Sequence, residues 1–529
     1  MKTSRRQQVV VNAIEVEIFR QLFESIADEM GVVLQRTAFS PNIKERLDFS
    51  CALADAEGSM LAQAAHIPVH LGSCHLTTKE VFAACTLQPG DVVVLNDPFR
   101  GGTHLPDITM VAPVFAPDGK RLCFGVVARA HHADVGGGVP GSMGNFDEIY
   151  KEGLIIPPVK LVAAGSKVDD VEALVLANVR TPDERRGDLA AQIASVQRGV
   201  ERIEALMSDY GIEVLAAAGK ALMARSARAL GEVLKEIPDG LYRASDRLDG
   251  EGSAKIAVQL VVKGSKLTVD FKGSSPSVAE ALNAHEAITL SCLFYALRCL
   301  ADESIPTNSG LLAPVQLLVP KGSIVGAVHP AAVAGGNVET SQRIVDVIFR
   351  ALAEACPGLI PADSQGTMNN LSFGGKDRSG RVFTYFETIA GGLGAGKHHD
   401  GASGMHSHMT NTLNTPIEAL EVALPLRVRA YHLRRNSGGS GRHPGGDGVV
   451  REFEALDSLE VSLLTTRRLS APSGRAGGGD AKPGCDHLID ASGRRRKLNP
   501  KSQFVMKPGE TLRIETPGGG GYGKRVSRG

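Results

Sequence analysis

Two apolar stretches of the sequence, each followed closely by histidine and aspartate, constrain the fold most. Val92–Leu95 is a run of four apolar residues that predicts a buried strand, and it leads into residues 96–107 (NDPFRGGTHLPD). Residues 123–128 are a second apolar stretch, and they lead into residues 131–134 (HHAD). A histidine and a carboxylate three residues apart, such as His104 and Asp107, can share one metal ion in a tight loop. Pro106 between them restricts the backbone. The pattern predicts one polar site shared by two strand ends.

A wider set of polar residues belongs to this predicted site. Two imidazoles and two carboxylates suit a borderline divalent ion such as zinc, manganese or iron, and such an ion could polarise a carbonyl or acidify water. The alternative is that these side chains cap turns and satisfy buried backbone groups, and spacing alone does not decide between the two. The set comprises Glu45, His104, Asp107 and His131, with Asp48, His132 and Asp134 nearby.

Composition sets limits on the class of protein. The chain has 529 residues and zero formal net charge, so we expect two to four domains and neither a nucleic-acid partner nor a charged membrane surface as partner. No run of about 18 apolar residues predicts a transmembrane helix. The basic segment Met1 to Gln8 lacks the apolar core of a signal peptide, and the eight cysteines form no CxxC pair. We therefore expect reduced, buried thiols and a cytoplasmic protein.

The pattern of apolar residues predicts an α+β fold of mixed sheets with helices. Helices are expected at 11–35, 180–237 and 340–355, with Thr181 capping the second region and Pro182 in its first turn. The turn residues 238–240 (PDG) suggest a boundary between two domains. They divide an N-terminal half, 1–237, which carries the metal site, from a C-terminal α+β half, 238–529, with glycine-rich loops.

Other motifs are weaker. His66, His70 and His75 could line the site, although Pro68 argues against a regular helix there. Residues 391–397 fit G-x-x-x-x-G-K, but His398 follows where a phosphate loop needs Ser or Thr, so we expect no nucleotide there. The glycine run 518–523 is expected to be ordered. Two interpretations fit the histidine-rich loop after residue 397: a second metal site, or a polar loop of exposed or hydrogen-bonding histidines. The residues concerned are His398, His399, Asp400, His406 and His408.

Several long motifs together resemble the hydantoinase B/oxoprolinase family. The resemblance covers nearly the whole chain. The motifs that carry it are 96–107 (NDPFRGGTHLPD), 130–143 (AHHADVGGGVPGSM), 178–191 (NVRTPDERRGDLAA), 406–418 (HSHMTNTLNTPIE), 437–448 (SGGSGRHPGGDG) and 516–523 (TPGGGGYG).

The resemblance implies a division of labour between two components. In this family a hydantoinase A-type component binds ATP and phosphorylates the substrate's amide or enol oxygen, and the B component acts on the activated species. The chain therefore resembles the B subunit of an ATP-dependent hydrolase of small cyclic amides. A ketone carboxylase subunit and a non-catalytic scaffold for the A component are the alternatives.

The resemblance also implies roles for particular residues. The metal ligands of some relatives map onto Glu45, His104, Asp107 and His131, with Asp48 competing with Glu45 and His132 with His131. His132 and Asp134 are expected to move protons. Arg46 and Arg100 are expected to bind the phosphoryl group of the activated substrate.

Overall fold

A computed structural model describes residues 11–64, 66–250 and 252–525, so the basic segment Met1 to Gln8 lies outside the described residues. Within these residues, helices are combined with four β-sheets, which confirms the predicted α+β class. The helices are α1 Ala13–Thr37, α2 Pro41–Lys44, α3 Cys74–Ala84, α4 Asp169–Ala177, α5 Pro182–Tyr210, α6 Ile212–Lys235, α7 Glu286–Leu300, α8 Ser341–Ala355 and α9 Ile417–Ala423.

The strands are β1 Phe49–Asp55, β2 Met60–Gln63, β3 Val92–Leu95, β4 Asp107–Phe115, β5 Leu122–His131, β6 Val159–Ala163, β7 Ser166–Lys167, β8 Gly240–Arg247, β9 Lys255–Lys263, β10 Lys266–Asp270, β11 Val315–Leu318, β12 Asn370–Lys376, β13 Val382–Glu387, β14 Leu426–Arg434, β15 Gly448–Ala455, β16 Leu459–Leu464, β17 Cys485–Ile489, β18 Arg495–Lys497, β19 Lys501–Met506 and β20 Thr511–Glu515.

A seven-stranded antiparallel sheet, in the order β2-β1-β5-β4-β3-β6-β7, positions the site. Successive side chains of a strand face opposite sides of its sheet. Val92 and Val94 accordingly join the hydrophobic core that contains residues of α1 and α5. Val93 and Leu95 join the core that contains residues of α7 and α8. Both faces of the sheet are covered, which explains why the predicted strand β3 is a continuous apolar run.

The three smaller sheets belong to residues 238–525. They have the orders β11-β10-β9-β8, β13-β12-β16-β19 and β14-β15-β20-β17-β18. Their strand pairs are antiparallel except β10 with β11. The core around α7 and α8 also contains Ala52, Val93 and Val127 from the large sheet, so the two halves of the chain share a core. The boundary at 237–238 stays a prediction.

Most predicted helices are confirmed, with instructive differences. The helical region after residue 180 is divided at Gly211, since α5 ends at Tyr210 and α6 begins at Ile212. Thr181 stands at the N-cap of α5, but its side chain caps no backbone amide, so the predicted cap is wrong. On α1, Phe19 and Phe23 are buried, while Ile14 and Ile18 near its N-terminal end are exposed.

The glycine-rich segments 391–396, 437–446 and 518–523, here called the glycine-rich assembly, pack against one another, so the run 518–523 is ordered as predicted. Their backbones are linked directly: Ala395 N donates to Gly520 O, Gly446 N to Leu393 O and Gly519 N to Gly446 O, each over 2.9 Å. A Cβ on Gly445 would lie 1.8 Å from Gly519 O, so side chains are excluded where the segments meet.

No helix in the described part of the chain combines the length and apolarity that crossing a membrane requires. The eight cysteines are free thiols, of which Cys51, Cys74, Cys123 and Cys292 are buried, while Cys299 is exposed. The expectation of free thiols is confirmed, and the expectation that all of them are buried is wrong. The cytoplasmic location stays a prediction.

Candidate active site

The ends of three neighbouring strands bring the central residues together. Asp107 begins β4 and His131 ends β5, and the register pairs them directly. Asp48 stands just before β1, and its carbonyl oxygen accepts a hydrogen bond from the His131 amide over 3.0 Å. Asp48, His131 and Asp107 therefore form one row at an end of the sheet, on the face that lies towards the C-terminal half.

Three of these side chains form a compact group of potential metal ligands. Each of His104, Asp107 and His131 is buried and offers a ligand atom within 4.8 Å of the other two. The centroids of the two imidazole rings lie 5.0 Å apart. His104 Nδ1 and His131 Nε2 are buried without a hydrogen-bond partner among the described residues. His104 Nε2 and Asp107 Oδ1 lie 3.3 Å apart as an ion-pair contact, but neither makes a hydrogen bond in the described part of the chain. Each such buried, unpaired atom costs about 1–3 kcal/mol. Two imidazole nitrogens and a carboxylate oxygen fit a divalent ion, which would satisfy them.

Asp107 is oriented by contacts to its other oxygen. Thr103 Oγ1 donates to Asp107 Oδ2 over 2.6 Å, and His70 Nε2 lies 3.3 Å from the same oxygen. His70 Nδ1 in turn lies 2.9 Å from Ser50 Oγ. Burial alone would raise the pKa of Asp107, but His104 and His70 together hold that pKa well below its usual value. Asp107 is therefore a carboxylate with Oδ2 held and Oδ1 available to a ligand.

His131 has a matching arrangement at its other nitrogen. The Asn42 side-chain amide lies 3.2 Å from His131 Nδ1, and Asn42 Oδ1 has no partner in the described part of the molecule. The two ends of an amide are interchangeable in position. With Oδ1 turned towards the ring, Asn42 accepts from Nδ1–H and leaves the Nε2 lone pair available, as metal-binding histidines require. Phe386 stacks on the His131 ring with centroids 4.6 Å apart.

A second polar row beneath the first holds the surrounding loops. Arg129 is fully buried and donates to Thr109 Oγ1 and Thr77 Oγ1, each over 2.8 Å. Thr77 lies on α3 and also donates to Gly101 O. Gly101 has a φ of +91°, and a Cβ on Gly102 would lie 2.5 Å from Asn96 O. The glycine pair between Arg100 and Thr103 is therefore required for the tight loop that presents His104.

The acidic residues predicted at positions 45 and 48 lie outside this group of three. Glu45 is half-buried, and its Oε2 has no hydrogen-bond partner within the described ranges. Burial raises the pKa of Asp48 to about 7, while Arg46 opposes the shift and Asp107 adds to it. Both remain candidates for a fourth ligand.

Arg46 is completely buried and engaged by protein acceptors. Its Nη1 donates to Phe386 O over 2.7 Å, and its Nη2 lies 3.4 Å from Thr412 Oγ1 and 3.8 Å from Asp48 Oδ2. Arg100 is partly exposed and pairs with Glu80 over 2.8 Å. The phosphoryl-binding role of both arginines stays a prediction that these contacts do not favour.

The two residues predicted to move protons, His132 and Asp134, contact residues outside the cluster. His132 follows His131 on the chain and contacts α5, with Nε2 2.8 Å from Gln192 Oε1. Burial, helped by Arg185, lowers the pKa of His132 to about 4. Asp134 is buried and accepts from Arg180 Nη1 and from the Arg180 amide, each over 2.7 Å. The structure thus brings together His131 rather than His132 with His104 and Asp107, and the proton-transfer roles of His132 and Asp134 stay predictions.

His70, Thr103, Asn42 and Arg129 are the site residues that sequence reasoning missed or weighed lightly. Thr103 lies inside the most conspicuous motif, and strand alternation places Arg129 on the same face as His131, so both carried a usable signal. Nothing local marks Asn42 or the pairing of His70 with Asp107.

The histidine-rich loop after residue 397 does not form a second metal site in the described structure, since no other group of three potential ligands lies as close. His398 and His399 are exposed, His443 pairs with Asp400 over 3.0 Å, and His408 lies 3.2 Å from Asp346. The polar-loop alternative describes this segment.

The fold and this cluster define a large α+β protein with a buried group suited to one metal ion. Residues 12–525 match the family described as hydantoinase B/oxoprolinase, and the chain belongs to that family. The chain is 40% identical to 5-oxoprolinase 1 of Arabidopsis thaliana over 98% of its own length, but it spans only 42% of that relative. It is also 40% identical to an uncharacterized protein of Methanocaldococcus jannaschii, with 98% of this chain and 92% of that protein covered.

A solved structure shares the fold throughout. The ATP-dependent caprolactamase from Pseudomonas jessenii superimposes with a TM-score of 0.90 at 29% identity, over 98% of this chain and 92% of that one. The family predicted from the motifs is confirmed, and so is the fold that the resemblance implied.

Proposed function

We propose that this chain is the B-type component of an ATP-dependent cyclic amidohydrolase, and that it hydrolyses a small ring amide activated by an A-type component. The main support for this proposal is the buried group of His104, Asp107 and His131, whose potential ligand atoms make no hydrogen bonds within the described residues. Support comes from the names of the relatives, 5-oxoprolinase and caprolactamase, which both denote enzymes of ring amides.

A ring amide needs prior activation because its resonance makes the carbonyl carbon a poor electrophile. Phosphorylation of the amide oxygen supplies a good leaving group and an electrophilic carbon. The ATP for that step belongs to the A-type component, since residues 391–397 of this chain lack the Ser or Thr of a phosphate loop.

His104, Asp107 and His131 would hold a divalent ion, and Glu45 or Asp48 would complete the set. A bound zinc, manganese or iron ion would supply Lewis acidity towards a substrate oxygen and water. Thr103 and Asn42 orient two of the three ligands from behind. Burial of the cluster excludes bulk water, which strengthens each electrostatic contact with the substrate.

The A-type component is either a separate subunit or the remainder of a longer chain. The plant relative is more than twice as long as the region it shares with this chain, whereas the archaeal relative is nearly all matched. The archaeal relative, which this chain matches over nearly its whole length, supports our proposal of a separate B subunit that works in a hetero-oligomer.

The decisive experiment combines this chain with its A-type component and measures phosphate release and ring opening with hydantoin, 5-oxoproline, caprolactam, and ketones with bicarbonate. We expect ATP-dependent opening of a ring amide without bicarbonate. His104→Ala should lower that rate by a factor of about 100 or more, while the exposed control His398→Ala should not change it.

Two outcomes would decide for the alternatives. Turnover only with a ketone and bicarbonate would make this chain a carboxylase component. Full activity of the His104→Ala complex would mean that the chain acts as a scaffold and that the cluster is not catalytic.

A further inference from the structure

A cavity of about 310 Å³ has walls from both halves of the chain. One wall is a face of α1, where charged residues at intervals of four end with Asp28. The second wall comes from described residues of the segment 63–71, and the third from Arg298 and residues 303–307. None of the three potential metal ligands belongs to these walls, so the cavity is separate from the metal cluster.

Gln63 in the second wall has an amide without partners. Its side chain is only 6% exposed, yet neither Nε2 nor Oε1 makes a hydrogen bond within the described ranges. Buried polar side chains are ordinarily paired, so an amide with both ends unpaired at a cavity wall calls for an explanation. A ligand in the cavity would find one acceptor and one set of N–H donors in Gln63.

His66 adds a donor to the same wall. Its Nδ1 accepts a hydrogen bond from the Cys51 amide over 3.2 Å, so the ring proton is on Nε2. Burial lowers the pKa of His66 to about 4, so the ring is neutral at physiological pH. A Cβ on Gly31 would lie 2.8 Å from His66 Nε2, so only glycine leaves room for the imidazole edge. Gly31 lies three residues after Asp28 on α1, which places the His66 donor beside the acidic wall.

The charged side chains of the cavity leave two carboxylates without a counter-ion. Arg20 is paired with two glutamates of its own helix, and Arg298 donates to three carbonyl oxygens of the loop that follows α7. Asp28 and Glu303 have no ion pair in the part of the chain that the structure describes. Burial raises the pKa of Asp28, and no basic group opposes that shift. The cavity therefore favours a ligand with a positive group and disfavours a phosphate.

We propose that this cavity binds an amino acid, with its ammonium group towards Asp28 and Gln63 Oε1 and its carboxylate towards the Nε2–H donors of Gln63 and His66. Hydrolysis of a lactam breaks the ring C–N bond, so the carbonyl carbon becomes a carboxylate and the nitrogen an ammonium group at neutral pH. The intact ring has no ammonium group. The inference rests on the proposed function and assigns the cavity to the ring-opened product rather than to the ring amide.

Isothermal titration calorimetry on the full chain tests the site without the A-type component. The probes are 6-aminohexanoate and glutamate, the ring-opened forms of caprolactam and 5-oxoproline. Hexanoate and glutarate are the matched controls, because they keep the carboxylates and lack the ammonium group. We expect at least one amino acid to bind about 10-fold more tightly than its control, since hydrogen bonds to charged groups are the stronger ones. The two ring amides should bind no better than the controls.

Two variants locate the binding. Gln63→Leu removes both amide atoms and should lower the affinity by a factor of about 10 without loss of stability, because the amide leaves no protein partner unpaired. Asp28→Asn removes the charge at an exposed position and should lower the affinity by a factor of about 3 to 5. Asp170→Asn, at an exposed aspartate of α4, is the matched control and should bind like wild type. The unfolding temperature shows that each variant is folded.

The outcomes separate this inference from the proposed function. Absence of binding by both amino acids, equal binding of the controls, or full affinity in folded Gln63→Leu and Asp28→Asn would each overturn the inference. Ring opening by the complex alongside any of these results leaves the proposed function intact. A wild type that binds an amino acid in this cavity but opens no ring amide with its A-type component retains the site and overturns the proposed function.

Discussion

At the residue scale, the site depends on side chains whose second contact fixes their orientation. Asp107 is held through Oδ2 by Thr103, and His131 faces Asn42 through Nδ1. Each therefore presents its remaining ligand atom in one direction. Such outer contacts commonly contribute 10- to 100-fold to metal affinity. Thr103 and Asn42 are both uncharged, so these two contacts orient the ligands without adding charge to the cluster.

A buried carboxyl away from the cluster gives a prediction about pH. Glu152 is fully buried, and its Oε1 accepts from the Val333 and Ala334 amides, each over 2.9 Å. Burial raises the pKa of Glu152 from 4.5 to about 8 despite these bonds. Between these pH values the folded protein holds a proton that the unfolded chain releases, so this group makes stability fall as pH rises.

Glu152→Gln removes that proton dependence. We expect the free energy of unfolding in urea to fall less between pH 5 and pH 8 in the variant than in wild type, by about 3 kcal/mol. Glu57→Gln, at an exposed glutamate, is the control and should follow wild type. Parallel pH profiles for Glu152→Gln and wild type would show that Glu152 titrates normally.

The residues of the cluster were partly predictable. The spacing of His104 and Asp107 and the strand before each motif predicted the site's position. The choice between His131 and His132 stayed open in the sequence, because it depends on which face of β5 each side chain occupies. Glu45 lies outside the group of three because α2 and the turn after it set its position, and no pattern in residues 40–48 encodes that geometry.

At the element scale, the glycine-rich assembly excludes side chains by close backbone contact. Its bonds run between segments far apart in sequence, such as Gly392 N to Pro517 O over 3.0 Å. The sequence indicated an ordered glycine run, but the partners of each segment depend on long-range pairing and were not predictable. The hairpin β9–β10, by contrast, is a local feature, because its two paired strands are adjacent in the chain.

Gly445→Ala tests this packing. The added methyl would overlap Gly519 O, so we expect a loss of about 3 kcal/mol or more in the free energy of unfolding. Gly231→Ala inside α6 is the matched control, since its Cβ would meet Ser265 at an ordinary 3.5 Å and alanine favours a helix. Equal stability of both variants, measured by chemical denaturation, would contradict the close packing.

At the scale of the whole molecule, the candidate site needs both halves of the chain. The three central ligands come from the N-terminal half, whereas Phe386 and the 405–414 loop come from the C-terminal half. Such contacts between distant segments leave no periodic trace in the sequence. Sequence patterns therefore predicted the ligand-bearing strands but not the elements that cover them.

The central claim is that His104, Asp107 and His131 bind a metal ion. The most direct test is the metal content of purified wild type and of His131→Ala after loading with zinc, manganese or iron and removal of free ion, with His398→Ala as control. We expect about one tightly bound ion per chain in wild type and control, and a loss of at least tenfold in affinity for His131→Ala. Absence of bound metal from wild type, or its full retention by His131→Ala, would show that these three residues do not form a metal site.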